Sequence, residues 1–358
     1  LCSDLKTTLK IKEENKIATG NNLVSAAIQK LMNGKNLSRN ESRGVMKEIM
    51  ENHATDAQIS AYLVALHMKG ETVDEITGSA EAFSDKSLKI KVKYDNMVDT
   101  CGTGGDNLHT FNISTTAAFV TAGAGVTVAK HGHRSVSSKC GSADLLAALG
   151  VNIEMSRKTM ERCFAEVGLA FLFAPKFLKG WRYAFGPRME IGARTILNIL
   201  APLTNPARTK RQLIGVYDPN LMYTITNVMR ELGAEQVMVV HGEDGLDEIT
   251  ITGKTRIVEF INNQIYEYEI SPENFRIQSA PISSIQSDSK EDSVRLMRDV
   301  LSGKSCPATD VVILNAGAAI KVSGKVNTLA EGIELARHSI ASGSAQKKLD
   351  KLIEITNH

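Results

Sequence analysis

The stretch Asp99-Thr-Cys-Gly-Thr-Gly-Gly-Asp-Asn-Leu-His-Thr-Phe-Asn-Ile-Ser-Thr115 sets glycines at 102, 104 and 105 between an apolar run and a helix-like run, and its reading decides the fold. Without Cβ atoms, Gly102, Gly104 and Gly105 are free to take positive φ and let backbone N–H groups converge on an anion. A helix starting near Ser114 adds its N-terminal dipole, so the stretch reads as a phosphate cradle. It is not a dinucleotide fingerprint, because G-x-G-x-x-G needs glycine where Asn107 stands, and no Gly-Lys-Ser/Thr follows to make a P-loop. Asp106 repels a bare phosphate, which points to a metal between the two. The competing reading is a tight glycine turn with no ligand.

Around this stretch the chain alternates strand, loop and helix, as an α/β domain does. Strands are expected over Met97–Thr100 and Val126–Lys130, with a helix over residues 115–123 between them. The cradle then lies at a strand's carboxyl end, where open α/β sheets bind ligands. Directly after the second strand, Lys130-His-Gly-His-Arg-Ser-Val-Ser-Ser138 forms a second candidate phosphate loop. It brings Lys130, Arg134 and the hydroxyls of Ser135, Ser137 and Ser138 together around a glycine. Ser142 is expected to cap a helix over Ala143–Leu149.

Upstream the texture is helical. Three capping boxes, Ser38/Glu41, Thr55/Gln58 and Thr72/Glu75, each pair a hydroxyl with an acid or amide three residues on and mark helix starts. Ile59, Tyr62, Leu63 and Leu66 make an apolar stripe that fits either a core or a helix-helix dimer interface. Residues 1–20 are lysine-rich and aperiodic and read as a leader.

The chain's 358 residues suggest two domains, and 42% hydrophobic with 23% charged residues is ordinary for a globular protein. A net charge of +2 gives no argument for nucleic acid or membrane surfaces. Five scattered cysteines without C-x-x-C suit free thiols in a reducing compartment, and the expected location is the cytoplasm. No apolar run approaches the ~18 residues of a membrane span.

Several motifs, taken in order, resemble the anthranilate phosphoribosyltransferase family: Gly102-Thr-Gly-Gly-Asp106, Asn112-Ile-Ser-Thr115, Lys130-His-Gly132, Arg188 with Gly192-Ala-Arg-Thr195, Leu203-Thr-Asn-Pro-Ala207 and Leu246-Asp-Glu248. The resemblance covers residues 21 to about 355. It implies an α/β domain with a smaller all-helical domain, the fold shared by nucleoside phosphorylases and class III phosphoribosyltransferases. Residues 21–93 are the helical domain, with a returning segment near 180–206, and residues 94–358 the α/β domain that binds the phosphoribosyl donor. The resemblance further implies a homodimer through the helical domain.

It also implies phosphoribosyl transfer from phosphoribosyl pyrophosphate to the amine of anthranilate, releasing pyrophosphate, in tryptophan biosynthesis. Carried over residue by residue, the donor is held by Gly102, Gly105, Asp106, Thr110, Asn112, Ser114, Thr115, Lys130, Ser137, Ser138 and Ser142. Mg²⁺ meets Ser114, Asp247 and Glu248, hard oxygen ligands that leave room for water and phosphate. The acceptor meets Gly102, His133 and Arg188, whose planar fork suits a carboxylate. An aromatic amine is already neutral at pH 7, so no single general base is expected.

The acceptor end departs from the family pattern. His133 stands where the family has Asn, Leu178-Lys179 where it has His-Pro, and Asn107 opens a segment where Gly is usual. His109 and His133 also read as loop histidines without a role, and Trp181 reads as core in preference to an acceptor stack. Two other readings stay open: a paralogue using the same donor with another aromatic or heterocyclic acceptor, and a non-catalytic paralogue that binds nucleic acid. Near-neutral charge and the Asp247-Glu248 pair count against the latter.

Overall fold

The structure is a computed structural model that describes residues 22–88, 90, 94–134, 139–177 and 179–358. The expected leader, Ser137, Ser138 and Leu178 lie outside the described residues. The chain divides into two units, one of residues up to Ser87 with Leu178–Leu200, the other Leu88–Phe177 with Ala201–His358.

The first unit is helical: α1 (Leu23–Met32), α2 (Arg39–Met50), α3 (Asp56–Lys69) and α4 (Val73–Lys86) are later joined by α9 (Arg182–Ile191). All three expected capping boxes close, with the Ser38, Thr55 and Thr72 side chains accepting from the amides of Glu41, Gln58 and Glu75. Gly78 lets α4 press on α2, since a Cβ there would come within 2.1 Å of the Arg39 carbonyl oxygen. Ser42 Oγ, buried at this contact, donates to the Glu75 carbonyl at 2.7 Å. Ile59, Tyr62, Leu63 and Leu66 are all fully buried within the unit. Of the two readings open for the stripe, core and dimer surface, the burial selects core. Trp181 is half-buried, its ring tilted against the buried Phe83 with centroids 5.1 Å apart.

The second unit is built on a seven-stranded sheet of β1 (Val98–Gly102), β2 (Val128–Gly132), β3 (Leu169–Phe173), β4 (Arg211–Gly215), β5 (Gln236–Gly242), β6 (Thr255–Ile261) and β7 (Gln264–Ile270). Their order across the sheet is β3-β2-β1-β4-β5-β6-β7. The first five run parallel, and β6 and β7 form an antiparallel edge. Helices α5 (Ile113–Gly123), α6 (Ser142–Ala148), α7 (Arg157–Arg162), α8 (Ala174–Phe177), α11 (Leu221–Glu231), α12 (Lys290–Leu301), α13 (Pro307–Val322), α14 (Leu329–Ala341) and α15 (Ser344–Asn357) accompany it, while α10 (Ile196–Leu203) spans the unit boundary. The expected strands sit one or two residues later than their sequence bounds. Ser142 is the first residue of α6; Gly141 is its N-cap, and Asp144 accepts from the Gly141 amide at 3.1 Å. Ser142 as cap is corrected accordingly.

Strand order reverses between β1 and β4, so the carboxyl ends of these two strands form the topological switch point. β1, β2, β4 and β5 all end in glycine. Each of these glycines admits a close neighbour: a Cβ on Gly102 would lie 2.1 Å from Asp247 Oδ2, on Gly132 2.1 Å from Ser142 Oγ, on Gly215 1.5 Å from the Asp247 carbonyl oxygen, and on Gly242 2.5 Å from Asp244 Oδ1. Gly102 thus serves by lacking a side chain. Positive φ occurs in the cradle at Gly104, Gly105, Asn107 and His109, and the expectation of it at Gly102 is corrected.

Candidate active site

The acidic turn that ends in Asp247 and Glu248 folds over the carboxyl ends of β1 and β4 because Gly102 and Gly215, register partners, leave room for it. Asp247 Oδ2 accepts from the Gly104 amide at 2.7 Å, and Glu248 Oε1 from the Ser114 amide, in the first turn of α5, at 3.1 Å. Lys130 is 3% exposed; its Nζ donates to the Thr100 carbonyl and, at 3.4 Å, to Ser114 Oγ. The cradle, the second strand's lysine and the acidic turn therefore meet at one point.

Negative charge is crowded there. Burial, then the Asp106 and Glu248 carboxylates, push Asp247 well above the usual carboxylate range. Burial raises Glu248 to about 7, against the pull of Lys130 and the hydrogen bonds from Ser114. The donor set here, one hydroxyl and carboxylates, is hard oxygen throughout and lies in surroundings that favour a cation, which fits Mg²⁺. Asn112 Nδ2 donates to the Cys140 carbonyl at 3.0 Å, while its buried Oδ1 has no partner and is free to accept from a donor hydroxyl or a metal-bound water. Among the described residues no group of three or more His, Cys, Asp or Glu side chains makes a self-sufficient metal site. Mg²⁺ held by one or two carboxylates and completed by phosphate needs none.

The other expected residues are distributed as follows. Thr115 is buried in the first turn of α5. Thr110 forms an isolated antiparallel bridge with Gln286. His133 Nδ1 lies 2.5 Å from the Arg134 carbonyl oxygen, and its own carbonyl accepts from the Ala143 amide and Ser142 Oγ. Arg188 belongs to the helical unit, where its guanidinium lies 5.8 Å from the Trp181 ring centroid and burial lowers its pKa. No carboxylate within salt-bridge reach of Arg188 occurs among the described residues, so a half-buried cation is left for an anion to match.

Sequence reading misses Gly215, whose signal is a glycine closing a buried apolar strand, and the buried pair behind Lys130. There His131 Nδ1 lies 2.5 Å from Asp99 Oδ2 and His131 Nε2 lies 2.8 Å from the Ala201 carbonyl oxygen. Gln212 Nε2 donates to Asp99 at 3.2 Å.

With this geometry stand the relatives. Residues 94–346 match the glycosyl transferase family, a/b domain, and residues 25–87 its helical bundle domain. The anthranilate phosphoribosyltransferase of Petrotoga mobilis is 49% identical over 330 residues, 92% of this chain and 96% of that one. The chain belongs to the anthranilate phosphoribosyltransferase family. Among solved structures, the family's Thermus thermophilus enzyme superposes with a TM-score of 0.88 at 37% identity, covering 93% of this chain and 99% of that one. The Saccharomyces cerevisiae enzyme in complex with PRPP and Mg gives 0.85 at 26% identity, covering 93% and 98%. The family's class III phosphoribosyltransferase-like fold is therefore this chain's fold. No described helix is long and apolar enough to cross a membrane.

Proposed function

We propose that this chain transfers the phosphoribosyl group of phosphoribosyl pyrophosphate to the amine of anthranilate, releasing pyrophosphate, and so serves tryptophan biosynthesis. The observation that carries the reading is the convergence of the Gly102–Ser114 cradle, Lys130 and the Asp247-Glu248 turn at the sheet's switch point. Gly102, Gly105, Asp106, Thr110, Asn112, Ser114, Thr115, Lys130, Ser137, Ser138 and Ser142 hold the donor. Ser114, Asp247 and Glu248 would hold Mg²⁺, which would supply positive charge against the pyrophosphate oxygens. The protein's own part is positioning and electrostatics: backbone amides at the start of α5 face the anion, and Lys130 offsets its charge.

Arg188 pairs with the acceptor carboxylate, and Gly102 and His133 line the acceptor's approach. The neutral amine attacks C1′ as the C–O bond to pyrophosphate breaks, and the proton shed from the nitrogen afterwards passes to the released pyrophosphate or to water, so no side chain needs to remove it first. The protein acts as a homodimer through the helical unit. In support, six of the ten large apolar side chains left exposed among the described residues (Leu23, Met32, Val64, Met68, Phe185 and Met189) belong to that unit, which is less than a third of the chain. Its site is the cytoplasm, where Cys101, Cys140, Cys163 and Cys306, none of them in a disulfide, stay reduced.

Two measurements test this. Calorimetric titration with phosphoribosyl pyrophosphate is expected to show much tighter binding with Mg²⁺ than with EDTA; equal affinity removes the metal from the reading. Turnover of a panel of aromatic amines is expected to be highest for anthranilate, and Arg188→Lys should raise its KM roughly tenfold with donor affinity unchanged. Preference for an amine without a carboxylate overturns the acceptor assignment.

A further inference from the structure

The cradle makes few bonds of its own between Gly105 and Phe111, yet two non-glycine residues there, Asn107 and His109, hold φ of 59° and 55°. Left-handed backbone is unfavourable for residues with a Cβ and persists where surroundings over-determine it. Those surroundings come from a segment far later in the chain. The Phe111 amide donates to the Ile285 carbonyl at 3.0 Å and the Ser287 amide to the His109 carbonyl at 2.9 Å, which makes the Thr110–Gln286 bridge. Gln286 Nε2 then donates to the Leu108 carbonyl at 2.9 Å. One residue beyond Ser287, Asp288 accepts from Lys139 Nζ at 2.9 Å. His109, Thr110, Lys139, Cys140, Ser287 and Ser293 line one small polar cavity where these segments meet.

We propose that residues 285–288 are a strap that holds the cradle in register for the donor, and that Gln286 is its positioning residue. Gln286 acts through the Leu108 carbonyl and does not touch the donor. The two backbone bonds fix the far end of the loop, and the Gln286 amide fixes the turn that brings Gly104 and Gly105 back over the acidic pair. Lys139 and Asp288 are exposed, and such a pair contributes little to stability. Its role is to keep Lys139 beside the strap.

This inference rests on the reading that the cradle binds the donor, and the experiment separates the two. Gln286 is exposed, so its replacement leaves folding intact. Gln286→Glu keeps the side chain's shape but loses the donating amide. It is expected to raise the KM for phosphoribosyl pyrophosphate about three- to tenfold, leaving kcat, the KM for anthranilate and Tm near those of the parent. Gln286→Lys, which restores a donor, is expected to recover most of the loss. Gly105→Ala, which forces a Cβ into left-handed backbone within the cradle itself, is the control, with a larger loss of donor affinity expected. If Gly105→Ala weakens the donor but Gln286→Glu leaves its KM unchanged, or lowers Tm and all parameters alike, the strap is overturned. If Gly105→Ala leaves donor affinity unchanged, the cradle reading falls and the strap with it.

Discussion

Glu75 in the helical unit and Glu248 in the α/β unit are both buried carboxylates near a helix start, yet they are treated in opposite ways. Glu75 is fully buried and fully matched: its Oε1 accepts from the Leu37 amide at 2.8 Å, and its Oε2 from Lys69 Nζ at 2.9 Å and the Thr72 amide at 2.8 Å. Glu248 has one backbone amide at 3.1 Å, a nearby lysine that donates to the Thr100 carbonyl and Ser114 and not to the carboxylate, and two further carboxylates pressing on the same space. A buried charge matched inside the protein holds the fold together. One left under-matched stores an attraction for a cation that arrives with the substrate.

The comparison breaks most visibly through activity. Asp247→Asn with Glu248→Gln is expected to lower kcat/KM on the order of a hundred- to a thousandfold, because the groups that would receive Mg²⁺ are gone. Tm should hold or rise, since crowded like charges are removed. A large drop in Tm with turnover intact would make the acidic pair structural and erase the contrast. Glu75→Gln should do the reverse and destabilise the protein by roughly 3 kcal/mol, read by chemical denaturation, because Lys69 and two backbone amides lose their anion. Its kcat/KM below the melting range should match the parent's.

A smaller effect sharpens the comparison from within the α/β unit, where Asp99 and His131 form a buried pair that is internally matched. Burial works against both charges, and their mutual attraction outweighs it, so His131 is held well above its ordinary pKa and Asp99 below its own; Lys130 and Cys101 also face the pair. A raised histidine stabilises fully below about pH 6.5 and loses that contribution as pH rises through its folded pKa. A lowered aspartate stabilises above about pH 4 and loses its contribution as pH falls through its own. Tm is therefore expected to plateau between these limits and to decline by a few degrees on the alkaline side. His131→Gln should lower the plateau and flatten that decline. An unchanged alkaline limb in the variant would assign the decline to other groups.

Much of the α/β class and the helical capping boxes is legible in the sequence because both are local. A hydroxyl and an acid three residues apart can satisfy orphan amides without help from elsewhere, and Ser38, Thr55 and Thr72 do so. What escapes is set at long range. Gly102 reads as a conformational glycine, but its requirement comes from Asp247, 145 positions away. Gly215 has the same cause and passes for an ordinary strand end. Ile285–Asp288 carries no motif at all, because backbone amides and carbonyls do most of its work and any sequence supplies those. The stripe on α3 reads correctly as apolar, but periodicity alone cannot tell which neighbour covers it.

The discontinuity of the helical unit has a consequence for how the protein is made. Helices α1 to α4 leave the ribosome well before α9, which packs on α2 and α3, with Gly180 just ahead of it set against Met50, where a Cβ would come within 2.8 Å. That contact is unavailable until about residue 200 has been synthesised, roughly 6 to 23 seconds after the end of α4 at about 5–20 residues per second. Through that interval the nascent four-helix fragment carries an uncovered apolar flank, and β1, already emerged, waits for β4, which pairs with it and is encoded beyond α9. The closing of the first unit and the completion of the sheet's centre thus fall close together in time. A nascent chain stalled before that point should bind hydrophobic-surface chaperones, and one stalled well after it, with β4 clear of the ribosome, should have let them go.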